Sequence, residues 1–458
     1  MQISKVIGIA VFLTCAATSF AAGKLYDSVT CTGYGALQAG QLVRGYYNAP
    51  PSQVSEMHDY HLIEHQWIES VRARLSGTFY NGPSLKVNLG LELNNNFFTI
   101  NNPGPNPDNI KALTPLTYYN DLLIHRADME YGFLSSENSS LALQLGYFPF
   151  KYNPQATNLG EYLFRSECYP NHIVNEFYFA ETRLLGANLT GTLAGAAASL
   201  RGNLFLTSEM TYPTQDFSLA GLVNADLLNN AVELGAGVQL QRLIPVNPSR
   251  TAPNTLRNIS SVDTVTFDTS YYTFSGTKLM GRLCFDIKKL VPLTIFGDED
   301  LKLYGEAAVL GVTNYDTLYD KISERIPVMV GFNVPVFRLL DVLAFEAEYY
   351  SSPYFNNNRN QLYPNIDNFS PATPYVIPDQ ANDISGGHGV TTVAAQRLKW
   401  SAYAKRSFGE NFRIVAQAAR DHSRFQDPMN RLTYYTYDGD VTISAKDWYY
   451  IVRLMWCF

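Results

Sequence analysis

Few groupings in this sequence carry residue types and spacings that could do chemistry. His61, Glu64 and His65 stand in the order His-x-x-Glu-His. On a helix that spacing brings two imidazoles to one face for a zinc ion, with a carboxylate placed to act as base. The surrounding stretch "MHDYHLIEHQ" has no helical apolar period and offers no clear third ligand. It reads as a loop leading into a strand, so no metal and no zinc catalysis are expected. His422 and Ser423 are adjacent, but neighbours on a strand point to opposite faces and form no nucleophile–base pair. No glycine-rich phosphate loop occurs, and a net charge of -7 argues against nucleic acid as a partner. The expectation is a protein with no catalytic residues and no cofactor.

The ionisable residues are instead dispersed along alternating segments. "SLKVNLGLELN" places Leu85, Val87, Leu89, Leu91 and Leu93 on one face, and Lys86, Asn88, Gly90, Glu92 and Asn94 on the other. "ESVRARLSGTF" sets Val71, Ala73, Leu75 and Phe79 against Arg72, Arg74, Ser76 and Thr78. A period of two is a strand with one apolar and one polar face. The same pattern recurs around 301–309, 398–405 and the terminal "DWYYIVRLMWCF", with further strands near 29–43, 120–133, 140–149, 182–191, 199–209, 217–227, 231–243, 275–287, 325–336, 340–350 and 411–422. That makes about sixteen strands, within roughly 14–18, an even number of the kind that closes a transmembrane barrel. The polar faces carry the bases Arg72, Arg74, Lys86, Arg126, Arg201, Arg282, Lys302, Lys399, Lys405, Arg413 and Arg453. They also carry the acids Glu92, Asp128, Glu130, Glu233, Asp286, Glu306, Glu346 and Glu348. A charge facing lipid near the midplane costs about 2–4 kcal/mol, so a water-filled lumen is the expected location of both sets.

The amino-terminal "MQISKVIGIAVFLTCAATSFAAG" has a charged Lys5, an apolar run from Val6 to Leu13, and small residues around Ala21. This layout predicts a secretory signal peptide over 1–21; the apolar run is too short to span about 30 Å of hydrocarbon. The remainder, 22–458, is expected to be one all-β domain, because no composition shift or linker divides it. Charged residues are 16% and aromatics 13%, a profile suited to many half-apolar strands. Long connections alternate with short ones: "YNGPS", "LSSENSS", "FRLLD" and "FGENF" are short, while 46–66, the stretch around 95–119 and some 45 residues before "RLKWSAY" are long. Structureless loops of such length are uncommon inside a compact soluble domain. On one rim of a membrane barrel they are expected.

The terminal strand carries a resemblance. Phe458, Trp456, Leu454, Val452 and Tyr450 form an alternating apolar row that ends in Phe. This row resembles the last strand of Gram-negative outer-membrane proteins, where it serves as the assembly signal. The resemblance to porins covers 22–458 in architecture and only the terminal strand in motif. It implies an outer-membrane location amid lipid and lipopolysaccharide, insertion by the barrel assembly machinery, small hydrophilic solutes as cargo, and a homotrimer. General porins fold their third long loop into the barrel. Here the connection at 150–181, "KYNPQATNLGEYLFRSECYPNHIVNEFYFAE", matches in position and length, which makes Glu161, Arg165 and Glu167 the candidate constriction residues. The alternative for this segment is a packed external loop.

The function expected is passive diffusion of small hydrophilic solutes, with a weak cation preference set by Glu161 and Glu167. Two alternatives stand beside it. One is a saccharide-preferring channel using lumen tyrosines such as Tyr304, Tyr403 and Tyr449; the other is a surface adhesion or structural barrel with binding loops. Cys31, Cys168, Cys284 and Cys457 lack metal-ligand spacing. Cys31 and Cys457 fall on the first and last strands and become neighbours only if the barrel closes. A bridge needs Cα atoms within about 7 Å, and the alternative is two thiols.

Overall fold

A computed structural model describes residues 26–49, 59–96, 119–165, 182–195, 198–208, 216–244, 260–262, 269–271, 276–290, 295–312, 321–350, 398–421, 442 and 445–458. The expected leader 1–21, Glu167 and Cys168 lie outside these residues, as does the His422–Ser423 pair.

The strands run in chain order as β1 (Ser28–Ala49), β2 (Asp59–Asn81), β3 (Leu85–Asn96), β4 (Tyr119–Ser135), β5 (Ser139–Phe150) and β6 (Thr182–Ala194). They continue as β7 (Ala198–Ser208), β8 (Phe217–Leu227), β9 (Val232–Ile244), β10 (Ser260–Val262), β11 (Thr269–Tyr271) and β12 (Gly276–Asp286). The last are β13 (Lys302–Val309), β14 (Pro327–Asn333), β15 (Val342–Tyr350), β16 (Leu398–Phe408), β17 (Phe412–Arg420) and β18 (Trp448–Cys457). Strands β10 and β11 form a separate two-stranded ribbon. The other sixteen close into one antiparallel barrel in which β1 pairs with both β2 and β18. The seam runs from Tyr34 opposite Cys457 to Arg44 opposite Trp448. Beyond it the Phe458 N–H donates to the Gly33 carbonyl at 3.0 Å, and the Gly33 N–H donates to the Phe458 carbonyl at 2.9 Å. Closure leaves no sheet edge, which is the condition for strands to cross hydrocarbon.

The alternation resolves into an apolar exterior and a polar interior. On β18, Val452, Leu454 and Trp456 are exposed, while Tyr449 and Ile451 are buried. On β12, Leu279 and Leu283 face out, and Lys278, Met280, Arg282 and Cys284 are buried inside. An exposed row of Leu, Val and Phe around the whole wall is unstable in water and matched to lipid. Tyr131, Phe133, Phe337, Phe408, Trp456 and Phe458 are exposed near the rim that carries the short turns, as aromatic girdles are. This is an integral membrane barrel of the outer-membrane type. Short connections (82–84, 136–138, 195–197, 228–231, 334–341 and 409–411) lie on one rim, together with the longer 287–301. The strand ends that bound 50–58, 97–118, 151–181, 209–216, 245–275, 310–326, 351–397 and 421–447 form the other.

The structure corrects one expectation about local chemistry and decides between two readings of the cysteines. The segment 46–66 is not a loop throughout: β1 and β2 continue as a paired ribbon, with Tyr47 opposite His61 and Arg44 opposite Glu64. A two-stranded ribbon needs only backbone pairing, so it can extend beyond the point where the apolar alternation fades. The His-x-x-Glu-His run is therefore a strand, not a loop, and among the described residues no cluster of metal-ligating side chains occurs. Cys31 and Cys457 are both free. Cys457 aligns with Tyr34 while Cys31 lies opposite Gly77, so the two thiols are three register steps apart. Cys31 also shares the outward face of β1 with Leu37, whereas Cys457 lies on the inward face of β18.

A carboxylate-anchored segment inside the lumen

The wall supplies the acceptors and the connection after β5 supplies the donors. Strand β13 turns Tyr304, Glu306 and Ala308 inward because Leu303 and Val309 alternate with them. Strand β15 does the same with Glu346 and Glu348, between the outward Phe345 and Tyr349. Residues 151–164 leave β5 and meet these side chains across the barrel, β15 lying eight strands from β5 in either direction round the closed sheet. The Glu306 carboxylate accepts hydrogen bonds from the Tyr152 hydroxyl (2.6 Å), the Asn153 amide (2.8 Å), the Glu161 N–H (3.1 Å) and the Tyr162 N–H (2.8 Å). Gly160 and Glu161 both have positive φ, 86° and 64°. This left-handed pair turns successive N–H groups onto one anion, a backbone nest. Glu346 accepts from the N–H groups of Thr157, Asn158 (2.9 Å) and Leu159 (2.8 Å), and from the Thr157 and Tyr304 hydroxyls. The Tyr162 hydroxyl donates to Glu348 at 2.8 Å. The Asn158 amide and the Tyr449 hydroxyl donate to Asp421, each at 2.6 Å.

Apolar packing fixes the same segment from beneath. Ala156, Leu159, Tyr162, Leu163 and Phe164 join Phe148, Phe205, Leu222, Met280 and Met329 in one buried cluster. The short helix α1 (Tyr162–Arg165) touches β9, β12 and β13. Each fully buried Leu or Phe contributes about 1.5–3 kcal/mol, so packing and hydrogen bonding hold this piece of chain together. Gly237 on the wall makes room for this packing: a Cβ there would stand 2.9 Å from the Leu163 Cδ2 and 3.1 Å from the Met280 Cε, so both side chains would have to shift. Burial first, then the carboxylates of Glu306 and Glu161, push the Tyr152 hydroxyl well above the ordinary phenol pKa. Burial, Glu348 and Glu306 do the same for Tyr162.

Of the candidate constriction residues, Glu161 is 1% exposed and its carboxylate accepts the Asn153 N–H. Arg165 ends α1; its side chain, like Glu167, is outside the described set. The candidate wall bases alternate with outward apolar residues, so the strands turn them to the lumen. Arg72 and Arg74 lie on β2, Lys86 on β3, Arg126 on β4, Arg282 on β12, Lys302 on β13, Lys399 and Lys405 on β16, Arg413 on β17 and Arg453 on β18. Several are paired: Arg74 with Glu92 at 2.7 Å, Lys86 with Glu130 at 2.9 Å, Arg126 with Asp128, and Lys302 with Glu299 at 2.7 Å. Lys399 donates instead to the carbonyls of Asp421 and Thr442. Arg453 donates to Gln38 at 2.7 Å. Among the described residues, Lys405 and Arg413 are in no ion pair. Of the candidate sugar-stacking tyrosines, Tyr304 and Tyr449 are buried with hydroxyls given to Glu346 and Asp421, and Tyr403 is half-buried.

Among the inward residues missed from sequence are Arg183 and His125. Arg183 joins Arg74 on Glu92 at 3.1 Å, but Thr182, Arg183 and Leu184 are all buried, and a segment without alternation gives no sign of its facing. His125 sits at a β-bulge where the β3–β4 register shifts between Gly90 and Leu91. Its ring lies over Gly90, where a Cβ could not fit, and Nε2 is 3.2 Å from the Ser76 hydroxyl. The sequence did hold a signal here. The outward positions run Leu122, Ile124, then Ala127, Met129 and Tyr131, a phase slip of one residue that marks a bulge.

No family model matches this sequence, and no curated protein matches it. The fold is similar to solved porins of Rhodopseudomonas blastica. One mutant of that porin is 6% identical, covering 94% of this chain and 100% of its own, with a TM-score of 0.38. A second is 7% identical with the same coverage and a TM-score of 0.37.

Proposed function

We propose that this protein is an outer-membrane diffusion channel for small hydrophilic solutes, and that residues 150–181 narrow its lumen. The observation that carries this reading is the anchoring of 151–164 by Glu306, Glu346, Glu348 and Asp421. A surface adhesin has no use for a segment packed inside its barrel; a channel needs one to set the size of what passes. The segment lies against β9 and β12–β15; Arg72 and Arg74 on β2 are remote from these strands round the wall, while Lys405, Arg413 and Arg453 on β16–β18 follow β15. Glu161 and the anchoring acids gather on the segment's side, where a partly desolvated setting strengthens their field. Weak cation preference is the selectivity this arrangement favours, with Glu167 and Arg165 as further constriction charges.

The test is purified protein in planar bilayers. Discrete open conductance and a zero-current potential of cation sign in a salt gradient are expected, largest at low salt where screening is weakest. Absence of conductance would remove the channel, and a potential of anion sign would remove the selectivity.

A further inference from the structure

Below the anchored segment, toward the short-turn rim, the lumen holds a recess of about 630 Å³ roofed by Phe150, Tyr152 and Pro154. That size is within the range of about 300–1,000 Å³ that holds small molecules. Its floor is bipolar. Asp226 on β8 lies directly opposite Glu233 on β9, a like-charge pair that is destabilising unless a cation lies between. Asp226 accepts the Ser199 hydroxyl at 2.8 Å, and Glu233 has Arg282 at 3.4 Å. One inward row along the strands, Asn224 lies between Arg201 and Gly235. Arg282 reaches over Gly235 to donate to Asn224 at 2.9 Å. A Cβ on Gly235 would stand 2.6 Å from the Arg282 Cγ and 2.6 Å from the Asn224 Oδ1, so only glycine lets the guanidinium cross. Arg201 is exposed in the recess and, among the described residues, makes no ion pair.

We infer that this recess binds a zwitterionic solute of dipeptide size, its carboxylate on Arg201 and Arg282 and its ammonium between Asp226 and Glu233. Residues two apart on a strand are about 6.8 Å apart. The termini of an extended dipeptide, one Cα–Cα step plus a bond at each end, are about 6 Å apart. An uncharged polyol would leave Asp226 without a cation and Arg201 without an anion. The inference relies on the channel reading for how the solute arrives, but not for how it is held.

Glycylglycine and sucrose are compared by titration calorimetry on the detergent-solubilised barrel, which requires no conduction. Saturable binding of the dipeptide and none of sucrose are expected. Arg201→Gln and Asp226→Asn, two substitutions on strands whose pairing they leave intact, should each weaken dipeptide binding about tenfold, the loss of one charge-assisted hydrogen bond. Sucrose binding equal to that of the dipeptide, binding indifferent to both substitutions, or no dipeptide binding would each overturn the proposal. A barrel that binds glycylglycine yet conducts no ions would sink the channel and leave the recess standing.

Discussion

Glu346 is the acceptor on which the lumen segment depends most. It receives the N–H groups of Thr157, Asn158 and Leu159 together with two hydroxyls. Glu346→Ala leaves those donors buried without a partner, at about 1–3 kcal/mol each. The segment should then leave the wall, raising single-channel conductance and opening 151–164 to added protease. Unchanged conductance and protection would show that apolar packing alone holds it. The phenols of Tyr152 and Tyr162 add a pH dependence of known sign. Their folded pKa values are raised, so their stabilisation is complete below the unfolded phenol value of about 10. It is lost as pH rises from there through the folded value. Phenolate absorbance should show a late-titrating class that Tyr152→Phe combined with Tyr162→Phe removes; titration of all tyrosines together would count against the buried arrangement.

At the scale of elements, the terminal strand was legible because its alternation runs to the last residue. The partner to which it pairs was not. Phe458 exchanges both backbone hydrogen bonds with Gly33, and its ring, like that of Trp456, is exposed at the short-turn rim. Deleting Phe458 removes that pair from the seam. The outer-membrane yield of heat-modifiable barrel should fall several-fold, with the protein retained in the periplasm. Normal yield and mobility would end the assembly-signal reading. The neighbouring β1–β2 ribbon teaches the opposite lesson. Its paired extension was hidden because backbone hydrogen bonds leave no periodic trace once neither face is buried.

For the molecule as a whole, the order of long and short connections fixes sidedness, since each crossing inverts the rim. With the native thiols replaced, cysteines at Ser55, Asn106, Asn254 and Asn382 should react with an impermeant reagent on intact cells. Those at Asn81, Glu137 and Asn230, placed in the short turns or at their margins, should not. A mixed pattern would require a different orientation or a different number of crossings.

The sequence by itself determined the strand class, the sixteen crossings and the facing of most charges. Each of these follows from a local period of two, read against a solvent that is apolar outside and aqueous inside. Tertiary structure alone decided which acids anchor residues 151–164, that Arg183 and Arg74 share Glu92, and that Gly235 lets Arg282 reach Asn224. Those pairings join residues as much as 263 positions apart, as Asn158 and Asp421 are. A periodic pattern reports which way a side chain points, but only closure of the barrel brings the opposite wall within hydrogen-bond reach.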